Sequence, residues 1–222
     1  MQKRISTWTS DPRRPGRAVA IVIALVLPGC VETMPQAASA SAPERVAVAG
    51  GEVVVGGPRG YCVDMDASRD DADGALIVMG GCASLVQDPA LPQPERPAVL
   101  TAAVSAAGRG MKVRDSSAQF DAYFRSEAGR AALARSGRAA DVAVLETFMR
   151  DGVYFLHLRD VGNLSGPGLE TDYWRALVDV GDRIVTLSVL SPRTNPLTPR
   201  QGQDTLSEFV RRIIADNRGN MA

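Results

Sequence analysis

The chain has 222 residues, of which 45% are hydrophobic and 23% charged, and its formal net charge is zero. This composition excludes a wholly disordered chain, and the length fits one domain preceded by a leader and a tether. From Cys30 onward the chain carries 20 basic and 24 acidic residues. A mildly acidic surface argues against nucleic acid as a partner, because nucleic-acid binding needs a basic face.

The first 29 residues have the pattern of a secretory signal. A polar segment with five basic residues precedes an unbroken apolar run at residues 18–27. A helix of about ten residues spans about 15 Å, which is half of a hydrocarbon core and too short to cross a membrane. The pattern therefore predicts a signal peptide over residues 1–29.

The apolar run ends in Leu27-Pro28-Gly29-Cys30. This segment resembles the lipobox of bacterial lipoproteins, in which an apolar residue and two short residues precede a cysteine. The resemblance implies that the signal is removed before Cys30 and that this residue carries palmitate-type acyl chains as a membrane anchor. Two or three acyl chains hold a protein firmly. The alternatives are an ordinary secreted protein and an uncleaved anchor.

The resemblance also implies a location in the bacterial cell envelope, with the domain facing the periplasm. Val31 stands where Asp retains the lipoproteins of enteric bacteria in the inner membrane, so we expect the outer membrane. Assigning Cys30 to lipid leaves Cys62 and Cys82, and an exported protein is expected to oxidise such a pair. The alternative is two buried free thiols.

Residues 30–44 are rich in Ala, Ser and Pro, which predicts a flexible tether behind the acylated cysteine. We expect a single envelope domain over residues 45–216. Strands are predicted at 46–55, broken by two glycines, and at 75–79 and 98–105, with a proline-rich loop at 87–97. The acidic stretch 62–74 is predicted to be a short helix or loop.

The second half of the domain is predicted to contain two helices and two hairpins. Ser116 and Gln119 fit a capping box at the start of a helix that ends at 136–137. Asp151-Gly152 and Gly181-Asp182 predict tight turns, which join strands 142–150 and 153–160, and strands 173–180 and 183–190. Thr198 and Gln201 fit a second capping box, with Pro199 at the first helical position. Residues 217–222 are predicted to form a frayed tail.

Together these elements predict an α+β fold, with a mostly antiparallel sheet of about seven strands and two principal helices. The order of a helix, two hairpins and a closing helix over residues 98–216 resembles the Mog1/PsbP/DcrB-type α/β/α sandwich. That resemblance implies a binding or assembly role, by analogy of fold.

Few residues are candidates for chemistry. Asp64, Asp66 and Asp70 alternate in an acidic stretch and could hold calcium, although Arg69 stands where an EF-hand loop needs glycine. The alternative is a solvated acidic loop. His157 is the only histidine, and we expect it to be a hydrogen-bonded structural residue. Alternation places Trp174 with Ala176 and Val178 on one face of the sheet, which we expect to pack into the core. The alternative is a surface on which a ligand stacks.

The sequence therefore predicts a membrane-anchored envelope lipoprotein with a non-catalytic protein-binding or assembly role. Its expected partners are the lipid of the membrane and an envelope protein, and no cofactor is expected. The first alternative is a lipoprotein that binds a small ligand or a cation such as calcium. The second is an unrecognised hydrolase, whose chemistry would depend on His157.

Overall fold

Nine strands form two antiparallel sheets in the computed structural model, which describes residues 42–108, 111–162 and 168–221. A two-stranded sheet pairs β1 with β2, and a seven-stranded sheet has the order β3-β4-β5-β9-β8-β7-β6. The strands are β1 (Arg45–Val48), β2 (Val53–Gly56), β3 (Tyr61–Asp71), β4 (Gly74–Gly81), β5 (Val99–Ser105), β6 (Val142–Arg150), β7 (Val153–Asp160), β8 (Leu169–Val180) and β9 (Arg183–Pro192). The α-helices are α1 (Cys82–Leu85), α2 (Ser117–Arg125), α3 (Glu127–Leu133) and α4 (Pro199–Asp216).

The larger sheet carries helices on both faces, because its strands bury apolar side chains on both sides. On one face α4 and the β1–β2 hairpin cover a core that includes Leu206, Phe209 and Val55. On the other face α2 and α3 cover a second core that includes Phe120 and Phe124. The fold is thus α+β, as the sequence predicts, with β1 and β2 as an additional small sheet. No helix in the described part of the chain is both long and apolar enough to cross a membrane.

Both predicted two-residue turns form. Asp151 and Gly152 have positive φ angles of 51° and 77°, as a type I′ turn requires at both central positions. Gly181 likewise has a φ of 59° between β8 and β9. Glycine accepts this conformation without steric cost.

The predicted cap of α4 also forms. The Thr198 side chain accepts the Gln201 N–H, while the Gln201 side chain accepts the N–H of Thr198. Two of the four backbone amides left without partners at a helix start are satisfied in this way.

The predicted stretch 62–74 and the predicted helix from Ser116 differ from the structure. Residues 62–74 form most of β3 and its turn rather than a helix or loop, because β3 is an edge strand that pairs with β4. The helix predicted from Ser116 is two helices, separated at Ser126, and the Ser116 side chain makes no capping hydrogen bond. Instead Ser126 caps α3 by accepting the Gly129 N–H.

The expected frayed tail is also different over the residues that the structure describes. Asn217 is buried, and its side-chain amide donates to the carbonyl oxygens of Val54 and Ile213. The Asn220 carbonyl accepts the Gly181 N–H at 2.6 Å. The end of the chain is therefore tied both to β2 and to the β8–β9 turn.

A candidate ligand-binding cavity beside His157

The site begins with two cross-strand pairs on neighbouring strands. His157 of β7 lies opposite Trp174 of β8, and two residues further along Arg159 lies opposite Asp172. Because side chains alternate along a strand, both pairs lie on the same face of the sheet. This is the face that α4 covers.

The first pair is an aromatic stack. The rings of His157 and Trp174 are nearly parallel, at an angle of 3°, and their centroids are 4.5 Å apart. Trp174 is 4% exposed and His157 is 9% exposed. The stack forms one apolar wall of the site. Within it, the ring of Trp174 is also part of the hydrophobic core.

The second pair is an ion pair with two hydrogen bonds. Arg159 donates from Nε to Asp172 Oδ1 at 2.7 Å and from Nη2 to Asp172 Oδ2 at 2.9 Å. These hydrogen bonds lower the pKa of Asp172 and raise that of Arg159. Both groups are therefore charged at neutral pH, and each neutralises the other.

The N-terminal turn of α4 lies across Trp174 because position 202 is glycine. A Cβ atom at Gly202 would lie 2.9 Å from Cδ1 of Trp174, closer than a side chain tolerates. The segment before α4 is held by Ser191 of β9, whose hydroxyl accepts the Leu197 N–H at 2.6 Å. The helix start and this segment form the second wall of the site.

Between these walls lies a cavity of about 390 Å³, within the range of small-molecule sites. Its apolar lining includes Trp174, Val189, Pro196 and Leu197, and its polar lining includes His157, Arg159, Glu170, Thr171, Asp172 and Ser191. Apolar walls with a few convergent polar groups are typical of ligand-binding sites.

His157 differs from the expected structural histidine in its hydrogen bonding. It is nine-tenths buried, yet its ring makes no side-chain hydrogen bond to a residue that the structure describes. Burial lowers its pKa below the ordinary value of 6.5, against the opposing charges of Asp172 and Glu146 and with the added effect of Arg159. The ring is therefore neutral at pH 7, with one nitrogen as a donor and the other as an acceptor.

Trp174 also lacks a hydrogen-bond partner among the described residues, at its buried Nε1. Its placement in the core, with Ala176 and Val178, agrees with the sequence-based prediction. Buried polar groups are rarely left unpaired. Trp174 Nε1 is one of two such atoms in the described part of the chain, and the other is Thr205 Oγ1 of α4.

The other predicted site residues lie elsewhere in the chain. Cys62 and Cys82 form a disulfide bond, and both are buried. It joins the start of β3 to the start of α1, far along the sheet from β7, with three strands between β4 and β7. Cys30 lies outside the described residues.

The three aspartates proposed for calcium lie along the extended edge strand β3. Asp64 accepts the Ala67 N–H, and Asp70 accepts the Ala49 N–H with both oxygens. Within residues 42–108, 111–162 and 168–221, no three acidic, histidine or cysteine side chains are grouped to hold a metal ion. The geometry thus gives the calcium hypothesis no support.

Sequence reasoning missed Glu170, Asp172 and Ser191 as site residues. A signal was present in the alternation of His157 with Arg159 and of Asp172 with Trp174. Placing these pairs opposite each other requires the register between β7 and β8, which does not follow from their spacing.

Comparison of the chain with protein-family models, with curated proteins and with solved structures finds no match.

Proposed function

We propose that this protein is a lipid-anchored envelope protein whose domain binds a small organic molecule in the cavity beside His157. The observation that carries the proposal is a nearly buried histidine with no hydrogen bond to a described residue, in the wall of a cavity of ligand size. A polar group left in such a position is satisfied by a ligand or by water.

The same geometry favours binding over catalysis. A nucleophilic mechanism needs a hydroxyl or thiol hydrogen-bonded to the histidine. Ser191 is the serine of the cavity wall, and its hydroxyl accepts the Leu197 N–H. The two remaining cysteines of the domain are joined in a disulfide. The site therefore offers the features of a receptor for a ligand rather than an activated nucleophile.

The anchor is supported by the Leu27–Cys30 motif and by the Cys62–Cys82 bond. A disulfide is the usual state of paired cysteines in an exported protein. A ligand-binding domain on a lipid anchor would hold its ligand at the membrane surface. Recognition of an envelope protein partner remains a prediction, which crosslinking in intact cells would test.

The proposal is tested by purifying the full chain in detergent from the membranes of its native cell and recording native mass spectra. We expect a small molecule to accompany the wild-type protein. Thr171→Trp adds a bulky side chain to the cavity lining and should abolish the bound mass. The control is Thr186→Trp, at a half-buried strand position outside that lining.

The two tryptophan variants separate binding in the cavity from binding elsewhere. A bound mass that persists in Thr171→Trp, or that both variants lose equally, would contradict the assignment of the site. The absence of any bound small molecule in wild-type protein, with the fold intact by circular dichroism, would count against a ligand-binding role. That result would instead favour the hypothesis that the domain binds an envelope protein.

A further inference from the structure

The charged lining of the cavity has an excess of carboxylates. Its described residues include one cation, Arg159, and two anions, Glu170 and Asp172. Arg159 is engaged in two hydrogen bonds with Asp172, so that these two charges offset each other. The Glu170 side chain makes no ion pair or hydrogen bond to a described residue, so that its charge is not offset within the described lining.

The start of α4 does not supply an opposing site for an anion. Helix N-termini attract anions through free backbone N–H groups. Here Pro199 has no N–H, Thr198 and Gln201 use theirs in the capping box, and the Gly202 N–H donates to the Thr198 carbonyl. Little hydrogen-bonding capacity therefore remains at this end of the helix for a phosphate or carboxylate.

The charged groups of the lining that remain open are acceptors, whereas the neutral Trp174 Nε1 and one nitrogen of His157 are donors. The carboxylate of Glu170 accepts hydrogen bonds only. Asp172 also only accepts. Its Oδ1 already accepts from Arg159 and from Thr171, whereas its Oδ2 retains a lone pair beside the hydrogen bond from Arg159. Neutral His157 adds one acceptor nitrogen. A ligand that satisfies the carboxylates must bring hydrogen-bond donors and a positive charge, and its remainder must fit apolar side chains such as Val189 and Leu197.

We infer that the cavity takes a small organic cation, in which an amidinium or ammonium group is joined to a compact apolar body. This inference rests on the proposed function and adds the chemical class of the ligand. The cationic group would lie at Glu170 and beside Asp172, and the apolar body would lie against the wall formed by Trp174, Val189 and Leu197. Hydrogen bonds between charged groups are about twice as strong as those between neutral groups.

The test uses three planar probes of nearly equal size and different charge, which are benzamidine, benzamide and benzoate. Each is titrated into the full chain in detergent by calorimetry. Removal of the signal before Cys30 also removes Trp8 and leaves Trp174 as the sole tryptophan, so that its indole N–H signal in NMR spectra reports the site. We expect benzamidine to bind about 10-fold tighter than benzamide, the effect of one charge-assisted hydrogen bond, and benzoate to bind most weakly.

Two carboxylate variants locate the charge. Glu170→Gln should weaken benzamidine about 3- to 5-fold, as expected for a partly exposed ion pair, and leave benzamide unchanged. The control is Glu208→Gln, in a separate cavity beside Tyr61 and Arg59, and it should leave both probes unchanged. A larger loss in Glu208→Gln than in Glu170→Gln would overturn the assignment.

The outcomes distinguish this inference from the proposed function. Benzoate or benzamide binding as tightly as benzamidine, with a shift of the Trp174 signal, would overturn the cationic class and keep the cavity as a ligand site. Failure of all three probes to bind would also overturn the inference. The mass of any molecule that accompanies the native protein would then decide separately whether the proposed function stands.

Discussion

His157 occupies a place where its protonation costs free energy. The ring is nearly buried against Trp174, and the cost of taking a charge out of water outweighs the attraction of Asp172 and Glu146. Arg159, on the same strand face, adds repulsion to the protonated form. The neutral ring is therefore the form that the fold stabilises.

A pH dependence of stability follows from this lowered pKa. The unfolded chain takes up the proton near the ordinary pKa of about 6.5, whereas the folded chain takes it up only at lower pH. The contribution of His157 to the free energy of unfolding should therefore be constant above about pH 7 and should fall as the pH decreases through the folded pKa. Thermal unfolding followed by circular dichroism from about pH 8 to about pH 5 measures this fall.

The control for this prediction is His157→Phe, which keeps an aromatic ring against Trp174 and removes the titration. Because the chain has one histidine, this variant should lose most of the stability change between those two pH values. An equal fall of the unfolding midpoint in both proteins would mean that another group is responsible. Asp172, whose pKa is lowered, titrates at a more acidic pH. The change of stability between about pH 8 and about pH 5 is therefore attributed to His157.

At the scale of elements, the α2–α3 junction shows how a close backbone contact constrains one residue. α2 ends at Arg125, and α3 begins at Glu127 after the cap at Ser126. A Cβ atom at Gly129 would lie 1.9 Å from the Tyr123 carbonyl oxygen and 2.8 Å from the Phe124 Cα. Only glycine allows α3 to turn this closely against the end of α2.

Gly129→Ala should therefore destabilise the protein, although alanine normally favours helix. The added methyl group meets backbone, which cannot move aside as a flexible side chain would, and overpacking of this kind costs about 1–3 kcal/mol. Chemical denaturation gives the free energy of unfolding. The matched control is Gly219→Ala, where a Cβ would meet nothing within 4 Å, and a similar loss in both variants would contradict the steric explanation.

The elements that could be predicted are those fixed by local chemistry. Asp151-Gly152 specifies its turn because few other residue pairs accept two positive φ angles, and Thr198 with Gln201 specifies a helix start by reciprocal hydrogen bonds. The sequence does not predict β3. Its exposed acidic residues do not alternate with buried apolar residues, which is the pattern expected of a half-buried strand. Its strand conformation depends on pairing with β4, which is a tertiary contact.

The two edge strands of the large sheet are protected against pairing with another chain, and local sequence patterns do not predict this protection. The outer strands are β3 and β6, and each shows a register shift, between Asp64 and Arg69 in β3 and between Val144 and Glu146 in β6. Bulges of this kind interrupt the row of free backbone groups at a sheet edge and oppose pairing with another chain.

At the scale of the whole molecule, the cavity depends on contacts between parts that lie far apart in the chain. His157 and Trp174 come from two strands, Ser191 from a third, and Gly202 from the final helix. The sequence could place Trp174 in the core by alternation alone. It could not predict that Asp172 neutralises Arg159 or that Glu170 makes no ion pair with a described residue, because both depend on the register and on the position of α4.

The pairing of cysteines within the domain bears on the proposed anchor at Cys30. Cys62 and Cys82 are joined in the folded domain, so Cys30 is the remaining one of three in the chain. The disulfide closes a sequence separation of 20 residues. Its loss is expected to cost about 3 kcal/mol in the chain-entropy account of crosslinks.

Cys30→Ala should release the protein from membranes without changing the stability of its domain, because the acyl chains supply the membrane affinity. Sedimentation of membranes and labelling with an alkyne fatty acid measure the two expected losses. The control is the double variant Cys62→Ala/Cys82→Ala, which should stay membrane-bound and labelled while its unfolding midpoint falls. Continued label in Cys30→Ala would place the lipid elsewhere. Membrane association without label would instead indicate that the apolar run at residues 18–27 remains uncleaved and holds the chain.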